Sequence, residues 1–134
     1  MIKGILNGKP FGSEQNILTA ILHYLISLGI RPVHHRNTGA IFGKNGDGSL
    51  RFGRAKTTLN QRGAPDILMT YRGRGVAIEV KRPDGRLSND QKEWLSVFQK
   101  PPNNGAVIVA RSVDDVERAI RELDCGNLSE TILT

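Results

Sequence analysis

The chain has one cysteine, Cys125, in 134 residues. No internal disulfide can form, and no zinc site built on paired cysteines is available. No apolar run is long enough to span a bilayer. The first residues, MIKGILNGKPFG, have neither the apolar stretch nor the cleavage pattern of a secretory signal. A membrane role is therefore not expected, and a reducing, cytoplasmic setting is. Aromatic residues make up only 5 % of the chain. Few of them (Phe42, Phe52) fall in the basic stretch from Arg36 to Arg62, so stacking on unpaired bases is not the main signal. Acidic residues are in deficit: 13 against 19 lysines and arginines, a net charge of +6. The imbalance is local, with nine basic residues and two acids from Arg31 to Arg74. Clustered positive charge favours a polyanionic partner, most often nucleic acid; the alternative is an ordinary solvated surface. There is no repeat, long linker or composition break, so residues 1–134 are expected to form one domain.

The periodicities predict an α/β sheet flanked by helices, in the order α, β, β, β, α, β, α. Ser13 to Leu28 has apolar residues at three- and four-residue spacing, with Ser13 as N-cap and Gly29 as stop. RPVHHRN reads as a short strand. On a strand, His34 and His35 point to opposite faces and cannot share a metal, so surface or DNA contact is expected of them. Residues 38–65 are rich in glycine and basic residues and should form a loop or an irregular hairpin. Ile67–Tyr71 and Val76–Arg82 read as strands joined by RGRG. Ser88–Gln99 and Ser112–Leu123 read as helices around a short apolar strand, Gly105–Ala110. Ser112 and Asp115 suit a capping box.

The paired strands carry charge where a buried strand should not. If the RGRG turn is symmetric, Asp66 lies opposite Lys81 and Leu68 opposite Glu79. Alternation then places Asp66, Glu79 and Lys81 on one face, with Ile67, Met69, Ile78 and Val80 on the other. Two adjacent carboxylates repel unless a divalent cation lies between them. Oxygen ligands of this kind suit Mg²⁺ or Mn²⁺, which also bind phosphate oxygens. A neighbouring lysine can hold the attacking water or neutralise charge developing on phosphorus. These parts suit phosphodiester hydrolysis. The alternative is an aspartate at a turn plus a surface Glu–Lys pair.

PD, twelve residues, then EVK resembles the PD-(D/E)XK nuclease signature. RNTGA, RGAPDILM, AIEVKRPDGRLSNDQKEWL and GAVIVARSVDDVERAI extend the resemblance over most of the chain to the VRR-NUC branch, particularly its small stand-alone bacteriophage members. Archaeal-type Holliday junction resolvases are similar in size and core motif. The resemblance implies a restriction-endonuclease-like core with a mixed sheet, and a metal-dependent endonuclease, in the host-cell cytoplasm if phage-encoded. It makes Asp66, Glu79 and the Val80 carbonyl metal ligands and Lys81 the residue that positions or activates water. Glu14 matches the family's acidic residue near the metal; it also suits the first turn of a helix electrostatically. Gln91 matches the family glutamine, yet Ser88-x-x-Gln91 is equally a capping box, so support of the site and helix capping both stand. Arg36 and Asn37 match the R-N-x-G segment expected to reach the scissile strand. Arg51, Arg54, Lys56 and Arg62, with Arg82 and Arg86 beside the catalytic strand, are candidates to grip phosphates.

A chain this short leaves little surface for reading bases once a catalytic core is built, which favours recognition of DNA shape and backbone. A four-way junction is the leading substrate, and its two paired cuts imply a twofold homodimer, with the last helix or the tail LSETILT as interface. The rivals are a flap or nicking endonuclease of the same fold and a non-catalytic basic nucleic-acid-binding module.

Overall fold

The computed structural model describes residues 13–34 and 62–126 throughout, and the backbone of short strands at 5–6, 9–10, 40–44, 50–53 and 132–133. Strands β1 (Ile5–Leu6) and β2 (Lys9–Pro10) pair with each other. Helix α1 (Glu14–Ser27) follows. The Ser13 hydroxyl accepts from the Asn16 N–H and caps the helix start. Gly29, at φ +85, ends it in the left-handed conformation that glycine adopts freely. The expected irregular hairpin is present as β4 (Ala40–Lys44) and β5 (Leu50–Gly53), with a bulge between Ile41 and Gly43.

The main sheet has the order β3-β6-β7-β8-β9. Its members are β3 (Val33–His34), β6 (Ile67–Tyr71), β7 (Arg74–Val80), β8 (Ala106–Ala110) and β9 (Ile132–Leu133). The β3–β6 and β6–β7 pairs are antiparallel, and β7–β8 and β8–β9 are parallel. Helix α2 (Asn89–Gln99) joins β7 to β8, and α3 (Val113–Asp124) follows β8. The tail strand β9 was not expected. Its backbone pairs with Val107 and Ile108 of β8, so this part of the tail adds to the sheet.

The alternation along β6–β8 divides the interior into two layers. Ile67, Met69, Val76, Ile78 and Val80 face α1 and α3, meeting Ile21, Leu25, Val116 and Ile120. Ala77, Val107 and Val109 face α2, meeting Leu95, with Trp94 and Phe98 packed against them. Because successive side chains alternate, Glu79 belongs to the α2 layer, among apolar neighbours.

The register differs from the symmetric expectation by two residues. Tyr71 pairs with Arg74 and Ile67 with Ile78, so the turn is only Arg72–Gly73. Both residues have positive φ, +50 and +78. That is the signature of the two-residue type I′ turn, whose twist matches the flanking strands. Continuing the register sets Asp66 level with Glu79 rather than Lys81. A shift of two leaves every side chain on its expected face. Lys81 falls just beyond β7, although its N–H continues the ladder to the Ala110 carbonyl at 2.9 Å.

Candidate active site

Three chain segments meet at the C-terminal end of β7. The loop before β6 brings Asp66, β7 brings Glu79 and then Lys81, and the first turn of α2 brings Gln91. Asp66 Oδ2 accepts from the Val80 N–H at 2.8 Å, so its carboxylate occupies a ladder position and is fixed to the strand that carries Glu79. Glu79 is 3 % exposed. Its Oε1 accepts from Gln91 Nε2 at 2.8 Å and lies 3.7 Å from Lys81 Nζ. Its Oε2 is buried with no hydrogen-bond partner. Burial, chiefly, and the neighbouring Asp66 carboxylate push the Glu79 carboxyl up to about 8, against the lowering pull of Lys81.

Gln91 makes both of the contacts that its position in the sequence leaves open, the helix cap and a bond to Glu79. Its Oε1 accepts from the Ser88 N–H at 2.8 Å, and its own backbone N–H donates to Ser88 Oγ at 3.2 Å, which closes a capping box. With Oε1 committed to the cap, Nε2 is turned onto Glu79. Gln91→Met is therefore expected to lose about 1 kcal/mol of stability with the cap and about 10- to 100-fold in activity with the contact to Glu79. Ser88→Ala weakens the cap but leaves the donor to Glu79. Thermal unfolding and single-turnover cleavage on both variants separate the two roles. Equal activity losses would remove Gln91 from the site.

An open cleft of about 480 Å³ meets the site at Lys81 and is lined by Ser13, Glu14, Lys81, Arg82, Gly85 and Arg86. The helix starts at Ser13 and Ser88 both lie at this end, where partial positive charge from helix N-termini favours anions. Glu14 is exposed on the cleft wall. It acts on Glu79 through space, raising its carboxyl weakly. Among the described residues no three of His, Cys, Asp and Glu come close enough to hold a metal together. The Asp66–Glu79 pair is what the site offers, and Mg²⁺ is commonly held by one or two carboxylates with water and phosphate completing its shell. The unpartnered Glu79 Oε2 and the all-oxygen donor set fit such an ion.

Of the basic residues expected to touch phosphate, Arg82 and Arg86 line the cleft. Arg82 pairs with Asp84 at 3.2 Å on the surface. Arg62 is an exposed turn residue before the Asp66 loop. Arg36, Asn37, Arg54, Lys56 and His35 lie outside the described residues, as does the Arg51 side chain on β5. His34 sits half-buried on the edge strand β3. Two contributors carry no recognisable sequence signal. Arg111 donates to the Gly85 carbonyl at 2.8 Å and braces the loop that holds Arg82 and Arg86. Its N–H donates to Asp115 Oδ2, so the Asp115 carboxylate binds Arg111 rather than closing the expected box on Ser112. Gly63, in the loop before Asp66, packs against the first turn of α2.

A mixed sheet that brings a carboxylate pair, one member of it buried, a lysine and a basic cleft to one end defines a nuclease-type α/β domain, consistent with a restriction-endonuclease-like core. Residues 41–114, more than half of the chain, match the VRR-NUC domain, and the protein belongs to that family. No curated protein and no solved structure matches the chain. The family carries a nuclease function with DNA as substrate. Among the described residues no helix is long and apolar enough to cross a membrane.

Proposed function

We propose that the protein is a Mg²⁺- or Mn²⁺-dependent, structure-specific DNA endonuclease of the PD-(D/E)XK type, acting on branched DNA and foremost on four-way junctions. The observation that carries the reading is Glu79: a carboxylate buried in an apolar layer, beside a second carboxylate, with one oxygen unpartnered. Nothing in the packing of a structural core requires that arrangement, and leaving a buried carboxylate oxygen without a hydrogen bond is costly.

In this reading Asp66, Glu79 and the Val80 carbonyl hold the ion, with Glu14 approaching from the cleft wall. A divalent cation bound there would neutralise the phosphate oxygens and acidify a water. Asp66 is held in place by the Val80 N–H and Glu79 by the Gln91 amide, so both carboxylates are set before substrate arrives. Lys81, 3.7 Å from Glu79 and lining the cleft, orients the attacking water or balances charge growing on the phosphate. Arg82 and Arg86 take neighbouring phosphates of the same strand, and Arg36, Asn37, Arg51, Arg54, Lys56 and Arg62 extend the grip. Phosphate contacts of this kind position DNA without reading its sequence. The resemblance to stand-alone phage nucleases and archaeal-type resolvases supports the junction substrate, and paired cuts there call for a homodimer with two sites.

Labelled four-way junction, flap and plain duplex DNA, each incubated with Mg²⁺ or with EDTA, test this reading. Symmetric paired cuts in the junction, present with Mg²⁺ and absent with EDTA, are expected. Metal-dependent cutting confined to flaps or duplex would overturn the junction substrate. Salt-sensitive binding with no cleavage of any of the three would leave a binding module.

A further inference from the structure

Gly63 lies three residues before Asp66 at φ +78, a conformation that L side chains rarely adopt. A Cβ built there would lie 2.7 Å from the Gln91 backbone nitrogen, and closer still to the Asp90 carbonyl. These are main-chain atoms of the first turn of α2, so they cannot swing aside as the end of a side chain can. At Gly29, Gly73 and Gly126, which also have positive φ, the same point has nothing within 4 Å. Gly63 is thus required twice, by its conformation and by what it touches.

The turn it touches carries Gln91, whose amide holds Glu79 Oε1. The chain it leads into carries Asp66, whose carboxylate accepts from Val80 N–H. We propose that Gly63 is a positioning residue for the carboxylate pair. Its bare backbone seats the Asp66 loop on the start of α2, and that seating sets how Asp66 stands against Glu79. The consequence for catalysis rests on the nuclease reading above; the seating itself does not.

The test compares Gly63→Ala with Gly29→Ala. Both add a methyl group at positive φ, and both are destabilised by backbone strain. Only Gly63→Ala crowds the start of α2. Hydrogen exchange at the Val80 amide, followed by NMR, is expected to accelerate at least about tenfold more in Gly63→Ala than in Gly29→Ala. Mn²⁺ affinity, read from the free-ion EPR signal, is expected to fall by about tenfold or more in the same variant alone. Equal Val80 protection and equal Mn²⁺ affinity in the two folded variants would overturn the proposal. Should Gly63→Ala not fold, the wild-type protein supplies the test. The Val80 and Gln91 backbone amides should exchange through one shared opening, with a single denaturant dependence; separate openings would overturn the seating. A Val80 response in a protein whose wild type neither takes up Mn²⁺ nor cuts DNA would uphold the seating and remove the nuclease reading.

Discussion

Replacing Glu79 with glutamine is expected to lower DNA cleavage by about a thousandfold or more, the upper range for loss of one electrostatic stabiliser in a water-excluded site. The fold should survive. Glutamine has nearly the same shape, and its carbonyl oxygen can still accept from Gln91 Nε2, the bond now made by Glu79 Oε1. What disappears is the buried negative charge and with it half of the carboxylate pair. DNA binding without metal should persist little changed, because below about pH 8 the metal-free Glu79 carboxyl already holds a proton. Asp66→Asn is the companion variant. Its amide oxygen can keep the bond to the Val80 N–H, so a comparable loss of cleavage would be electrostatic rather than structural. Single-turnover cleavage, thermal unfolding and binding in EDTA measure the three quantities. Cleavage by Glu79→Gln within tenfold of wild type would remove Glu79 from the chemistry.

Thermal stability should depend on pH and divalent cation together, through the same residue. In the folded protein without metal, burial and Asp66 raise the Glu79 carboxyl to about 8, from an ordinary value of 4.5. The folded state therefore binds a proton that the unfolded chain has already released over that interval, and the proton belongs to the Asp66–Glu79 pair as a unit. The stability this contributes is fully present below about 4.5 and is lost as pH rises through about 8. In EDTA the melting temperature should fall from pH 5 to pH 9. A cation that replaces the proton reverses the trend, because its affinity grows as the carboxyl ionises. The rise in melting temperature on adding Mg²⁺ or Mn²⁺ should be slight at pH 5 and several degrees at pH 8, at about 4 °C per kcal/mol for a chain of this size. Glu79→Gln should abolish both the slope and the metal response. A metal response equal at pH 5 and pH 8, or one retained in Glu79→Gln, would contradict the account.

The elements around the site were largely legible in the sequence because each announces itself locally. Ser13 and Ser88 precede their helices at capping positions, and Gly29 ends α1 where the apolar spacing stops. Asp66, Glu79 and Lys81 stand out because charge inside apolar strands violates the pattern that builds a core. The register was harder. RGRG offers a four-residue loop or a two-residue turn, and the two-residue turn places Arg72, not a glycine, at positive φ. Local preference does not favour arginine there, whereas the pairing of the flanking strands does. The dual role of Gln91 was half legible: the cap is a three-residue spacing, but its reach to Glu79 depends on how α2 packs on the sheet. The close approach of Gly63 to Asp90 and the brace from Arg111 to Gly85 join segments more than twenty residues apart. No periodicity records such contacts. The Ile132–Leu133 strand is too short to show a period at all.

The central claim is that Asp66 and Glu79 together hold a divalent cation. Calorimetric titration of Mg²⁺ or Mn²⁺ into the wild-type protein and into Glu79→Gln, at pH 7 in buffers of different ionisation enthalpy, tests it most directly. The account predicts saturable binding to the wild type with release of protons, because the raised Glu79 carboxyl must ionise, and no binding to the variant. Equal binding to both proteins, or wild-type binding with no proton released, would contradict it.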